Sequence, residues 1–193
     1  MVISAQKLTL DEYLAYDDGT NARYELVDGE LLPMSLGTGK HTAIIRLLSK
    51  RLDQAIEELG QDWVAVPVMV GVRSPRGTRW DTVRIPDITV LPATQLKALE
   101  NRECVIDLHE PPPLMVVEVV SESTKSTDYR AKWVEYAALD ISEYWIVDPL
   151  DSCVTVCVLE EGRYRDVVLR PQGEVESPLL PGLKLTAEQV LTA

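Results

Sequence analysis

The chain has 193 residues, 46% of them hydrophobic and 26% charged, and a formal net charge of −12 at pH 7. Such a length fits one domain with a sizeable core, spanning 1–193, and the composition is that of an ordinary globular protein. The acidic balance excludes a generally basic surface, so any nucleic-acid binding must rest on local basic groups, metal ions or a partner.

No run is apolar for long enough to cross a bilayer, and Met1 to Lys7 lacks the basic-then-apolar layout of a secretion signal, so a cytoplasmic protein is expected. Thr9 to Glu12 carries the capping-box pattern and predicts a short helix from Leu10 to about Tyr16. Arg23 to Leu32, broken by Asp28-Gly29, predicts a hairpin with a type I′ turn. After Gly37-Thr-Gly39, apolar residues at Ile44, Ile45, Leu47, Leu48, Leu52, Ala55, Ile56 and Leu59 predict a long helix closed by Gly60.

A strand is expected from Trp63 to Val72, then a polar loop from Arg73 to Asp81, then strands at Ile85–Leu91 and Leu114–Val120. A helix follows at Thr127–Leu139, with Tyr129, Trp133, Tyr136 and Ala137 as its buried stripe. Glu143–Val147, Ser152–Leu159 and Tyr164–Arg170 are strand-like, and Thr186–Leu191 closes with a small helix. Cys153 and Cys157 share a strand face but are spaced too widely to pair easily; with Cys104 they point to a reducing compartment. The order of elements predicts an α/β fold with a mixed central β-sheet flanked by helices.

Glu118 lies within Pro113-Leu-Met-Val-Val-Glu-Val-Val120, a run that reads as a strand buried on both faces. A carboxylate there costs several kcal/mol of desolvation, on the order of 3–5, unless a cation or strong donors meet it. Either a buried ion pair or a metal site would answer that cost. Asp87, after Pro86 at the mouth of the Ile85–Leu91 strand, is by itself a common strand-entry residue. Together, two carboxylates converging from neighbouring strands suit a hard divalent cation, whose remaining positions water, backbone carbonyls and phosphate oxygens fill. The Val119 carbonyl can join them only if the sheet ladder leaves it free.

Lys132 lies about five residues into its helix, roughly 7–8 Å along the axis. There it either forms a solvated i,i+4 pair with Asp128 or turns its ammonium toward Glu118, to hold or deprotonate an attacking water or to neutralise phosphate charge. Arg73, Arg76, Arg79 and Arg84 form the local basic cluster, on a loop placed to guide a phosphate backbone.

The order Tyr24-Glu-Leu-Val-Asp-Gly-Glu30, His41, Pro86-Asp87, Val117-Glu-Val-Val-Ser121, Lys132, Tyr136, Glu143-Tyr-Trp-Ile-Val-Asp-Pro149 and Leu180-Pro-Gly-Leu183 resembles the Uma family. That group is restriction-endonuclease-like and belongs to the PD-(D/E)XK nuclease superfamily. The resemblance runs from about Thr9 to Leu191 and implies an Mg²⁺- (or Mn²⁺-) dependent phosphodiesterase acting on DNA. It assigns Asp87 and Glu118 as the motif's two acids and Glu25 as a further acid near the metal. Val120 occupies the position where the superfamily pattern has lysine, and the resemblance selects Lys132 on the next helix instead. By the same analogy a homodimer is expected, with a protein partner as one source of DNA specificity. His41 faces the same cleft or merely caps its helix. A catalytically inactive binding module of the same fold is the competing reading. A hydrolase of other phosphodiesters or nucleotides is a third, weakened by the lack of a Walker-type glycine loop.

Overall fold

The computed structural model describes residues 7–20, 22–75 and 81–193. Arg76 and Arg79 of the expected basic cluster lie outside the described residues. Thr9 and Glu12 form the reciprocal capping box that starts α1 (Leu10–Leu14), which ends about half a turn before the expected Tyr16. Asp28 and Gly29, at φ 51° and 77°, provide the left-handed turn between β1 (Tyr24–Val27) and β2 (Glu30–Pro33). Thr38 caps α2 (Gly39–Leu59), and Gly60 ends it at φ 70°. Its buried face is Ile44, Ile45, Leu48, Leu52, Ala55 and Ile56.

The expected Trp63–Val72 strand is two strands, β3 (Trp63–Pro67) and β4 (Gly71–Ser74). Pro67 has no N–H to continue a ladder, and Val68 at φ 49° turns the chain into a different sheet. The expected Ile85–Leu91 strand begins later, as β6 (Ile88–Pro92), and Pro86 separates it from an unexpected β5 (Thr82–Arg84). Short elements with no clear pattern follow, α3 (Ala93–Ala98) and β7 (Val105–Ile106), and then β8 (Met115–Val119). The next helix opens as a π-helical turn (Thr127–Lys132) that runs into α4 (Trp133–Ala138). β9 (Glu143–Asp148), β10 (Cys153–Glu160), β11 (Arg163–Leu169) and α5 (Ala187–Leu191) complete the order.

Two mixed sheets result: β2-β1-β5-β4-β7, and the central β11-β10-β9-β8-β6-β3. In the central sheet β8 and β9 run parallel, and the other neighbours are antiparallel. Every residue of β8 is buried, as the apolar run predicts. Val117 and Val119 join Trp145, Val147 and Val154 beneath α2 and α5. On the opposite face Val116 and Val120 meet Tyr136, Tyr144 and Ile146 under α4. Glu118 falls between them by strand alternation, and so projects toward α4. The β6–β8 register pairs Ile88 with Val117. Continued by one residue past the end of β6, it brings Asp87 opposite Glu118.

Candidate active site

β8, the end of β6, the π turn and the β1 hairpin deliver charged side chains to one end of the central sheet. Glu118 is 4% exposed. Its Oε2 lies 2.8 Å from Lys132 Nζ, and its Oε1 accepts a 2.8 Å hydrogen bond from the Tyr136 hydroxyl. Burial lifts the Glu118 carboxyl to about 8; Lys132 opposes the rise, while Asp128, Asp87 and Glu25 add to it. Burial works to discharge Lys132, but Glu118, Glu25 and Asp128 outweigh it and hold the ammonium above the ordinary lysine value. The lysine is therefore a firmly charged group.

Asp128 and Lys132, four residues apart in the π turn, share one inward face, where both are buried. Lys132 Nζ stands 3.1 Å from Asp128 Oδ1 and 3.9 Å from Glu25 Oε1. The solvated surface pair that the spacing allows is thus an interior one. Neither Asp128 oxygen meets a donor in hydrogen-bonding geometry among the described residues. Burial raises its pKa against the pull of Lys132 and Thr124.

Asp87 stands where the ladder of β6 gives out. Its Oδ2 accepts the Val119 N–H at 2.7 Å. In a strand a residue's N–H and C=O point to the same side, so the Val119 carbonyl also faces Asp87. The β9 ladder takes the Val120 N–H instead, bonded to the Val147 carbonyl at 2.8 Å. The Val119 carbonyl therefore stands outside the β8–β9 pairing, on the side of Asp87 and His41. His41, in the first turn of α2, brings Nε2 to 3.3 Å from the same Asp87 Oδ2. Its hydrogen bond with Asp87 raises its pKa against burial, and the backbone of Val119 adds a further acceptor.

Glu25 reaches the group from β1, accepting the Ile85 N–H at 3.0 Å and facing Arg84 Nη1 at 3.2 Å. Arg84 is 1% exposed and binds Glu135 through Nε at 2.8 Å and Nη2 at 3.1 Å. It is a core clasp between the second sheet and α4, with no guanidinium face left for phosphate. Arg73 is committed as well, to Asp81 and to Asp107 at 2.8 Å. The expected basic loop therefore offers no free guanidinium among the described residues, because neighbouring carboxylates take both.

Glu25, Asp87, Glu118, Val119 and Lys132 are gathered as the sequence suggests. The spacing names Asp128 as a partner of Lys132 and Tyr136 as a buried residue, but the hydrogen bond from Tyr136 to Glu118 and the burial of Asp128 go beyond it. Their signal was positional: 128, 132 and 136 recur every four residues and share a helix face with the buried stripe. The donors are suited to a hard cation: oxygen atoms dominate, and the carboxylates outnumber Lys132. No three His, Cys, Asp or Glu side chains converge at metal-ligand spacing among the described residues. A bound ion would take fewer side chains, with backbone and water completing its shell.

A mixed sheet between helices, carrying acids and a buried lysine at one end, is the arrangement of a restriction-endonuclease-like nuclease fold. A crystal structure from Anabaena variabilis ATCC 29413, described as a "putative nuclease belonging to DUF820", superposes with a TM-score of 0.75 over 96% of this chain and 98% of that one. At 20% identity this likeness establishes the fold alone. The chain belongs to the Uma2 family, described as "Putative restriction endonuclease", whose pattern matches residues 10–188. No protein of curated function matches it in sequence. No helix among the described residues is long and apolar enough to cross a membrane.

Proposed function

We propose that this protein, acting as one domain over 1–193, is an Mg²⁺- (or Mn²⁺-) dependent DNA endonuclease with Asp87, Glu118 and Lys132 as its catalytic residues. The observation that carries the reading is the 2.8 Å contact of Lys132 with a buried Glu118, beside an Asp87 aligned with it on the neighbouring strand. Packing alone would not gather three carboxylates around one ammonium, since burying such charge is costly.

In this reading Asp87, Glu118 and the Val119 carbonyl hold the cation. When bound, the ion polarises the phosphodiester and makes water a better nucleophile. Water attacks phosphorus in line and gives up a proton to solvent, the P–O bond to the leaving strand end breaks, and that oxygen takes a proton from solvent, leaving a phosphate monoester and a free hydroxyl. Lys132 orients the water and offsets the charge that gathers on the phosphoryl oxygens. Its raised pKa suits it to these tasks and not to abstracting a proton. Tyr136 fixes the orientation of Glu118, and Glu25 helps to centre the ammonium. A homodimer in the cytoplasm would address both strands, with a partner protein able to supply DNA specificity.

The test is nicking of supercoiled plasmid with Mg²⁺ or Mn²⁺ by wild type, Glu118→Ala and Lys132→Ala. Metal-dependent nicking that both substitutions abolish is expected. If wild type and variants behave alike, the second reading, a non-catalytic module of the same fold, takes its place. The net charge of −12 and the engagement of Arg73 and Arg84 by carboxylates favour that alternative.

A further inference from the structure

His41 lies outside the motif's acids and lysine, yet its imidazole meets the same atoms. Nε2 is 3.3 Å from Asp87 Oδ2, and the Val119 backbone is a further acceptor for the ring. Cis ligands of an octahedral ion, each about 2.1 Å from the metal, lie about 3 Å from one another. The observed separation of nitrogen and carboxylate oxygen is close to that edge. The ring is also held from behind. A Cβ added at Gly37 would fall 2.5 Å from His41 Nδ1, so the loop before α2 closes over the imidazole only because residue 37 has no side chain. Thr38, one residue on, fixes the start of the helix by accepting the His41 N–H at 3.2 Å.

We propose that His41 is a nitrogen ligand of the cation through Nε2, beside Asp87 Oδ2 and the Val119 carbonyl. The inference rests on the reading of this site as a cation centre and deepens it by naming the ion class. On binding, the Nε2 proton leaves to solvent and the ring remains neutral. An imidazole ligand shifts preference from Mg²⁺, which favours oxygen, toward first-row transition ions such as Mn²⁺.

The experiment is Mn²⁺ and Mg²⁺ titration of the purified full chain by calorimetry, with electron spin-echo spectroscopy of the Mn²⁺-loaded protein. Wild type should bind Mn²⁺ more tightly than Mg²⁺ and show imidazole nitrogen coupling to the ion. His41→Ala should lose that coupling and bind Mn²⁺ at least about tenfold more weakly, with Mg²⁺ affinity much less affected. His109→Ala, at the other histidine, should keep the signal. Gly37→Ala removes no donor atom but displaces the ring, and should also weaken Mn²⁺ binding. Unchanged Mn²⁺ affinity in a folded His41→Ala protein, or no nitrogen coupling in wild type, overturns the role of His41 and leaves the cation centre standing. Wild type that binds neither ion overturns both.

Discussion

Replacing Lys132 by Met keeps most of the side-chain volume and deletes the ammonium that faces Glu118 at 2.8 Å, Asp128 at 3.1 Å and Glu25 at 3.9 Å. Removing one partner from a buried ion pair costs about 3–5 kcal/mol, because the remaining charge keeps its desolvation penalty. In a chain of this size that corresponds to roughly 6–20 °C in Tm. The cost depends on pH in a fixed direction. Glu118 and Asp128 already titrate above their ordinary values, and loss of Lys132 moves both higher. The folded variant then holds more protons than the unfolded chain, so its stability falls as pH rises through the elevated folded pKa values. The deficit relative to wild type should grow from pH 6 to pH 9 and be largest above the wild-type Glu118 value of about 8. Urea denaturation in EDTA at several pH values measures it. A deficit below about 1 kcal/mol, or one independent of pH, would refute the view that Lys132 is the counter-ion of these acids.

Further outcomes follow from the same geometry. Glu118→Gln should abolish nicking and, in EDTA, flatten the wild-type loss of stability between about pH 5 and 8 by close to one proton; urea midpoints across that range give the slope. Arg84→Ala should destabilise the fold by about 3–5 kcal/mol through stranded Glu135 and Glu25, a cost read from thermal or urea melts. The conservative Arg84→Lys should leave metal-free duplex affinity unchanged by fluorescence anisotropy; a clear loss in that folded variant would restore the residue to a DNA-contacting role. Val120→Lys in a Lys132→Ala background returns an ammonium to the Glu118 side of β8 and should recover part of the nicking that Lys132→Ala loses. No recovery in a folded double variant would show that the helix-borne position supplies more than charge.

β8 and its acid were legible because a run buried on both faces leaves a strand no other environment, and a lone Glu within it stands out chemically. The hairpin and the long helix were legible from Asp28-Gly29 and from the spacing of Ile44 to Ile56. The division of Trp63–Val72 was not, since apolar periodicity continues through Pro67 while the chain changes sheets. The arginines misled for a related reason. Composition records Arg84 as a charge on a loop, whereas its partners Glu25 and Glu135 lie 59 and 51 residues away in sequence. Asp128 and Lys132 satisfy a surface-pair spacing, and only the packing of their helix over β8 makes that face an interior one.

The π turn also bears on how this helix tolerates a change of length. A π turn accommodates one residue more than an α turn of the same span. Deleting Tyr129, Arg130 or Ala131 would let the turn relax to ordinary α winding, with Asp128 and Lys132 three residues apart and still on one helix face. Within this fold, the pairing of Asp128 with Lys132 therefore depends on the face they share more than on the width of the coil that carries them.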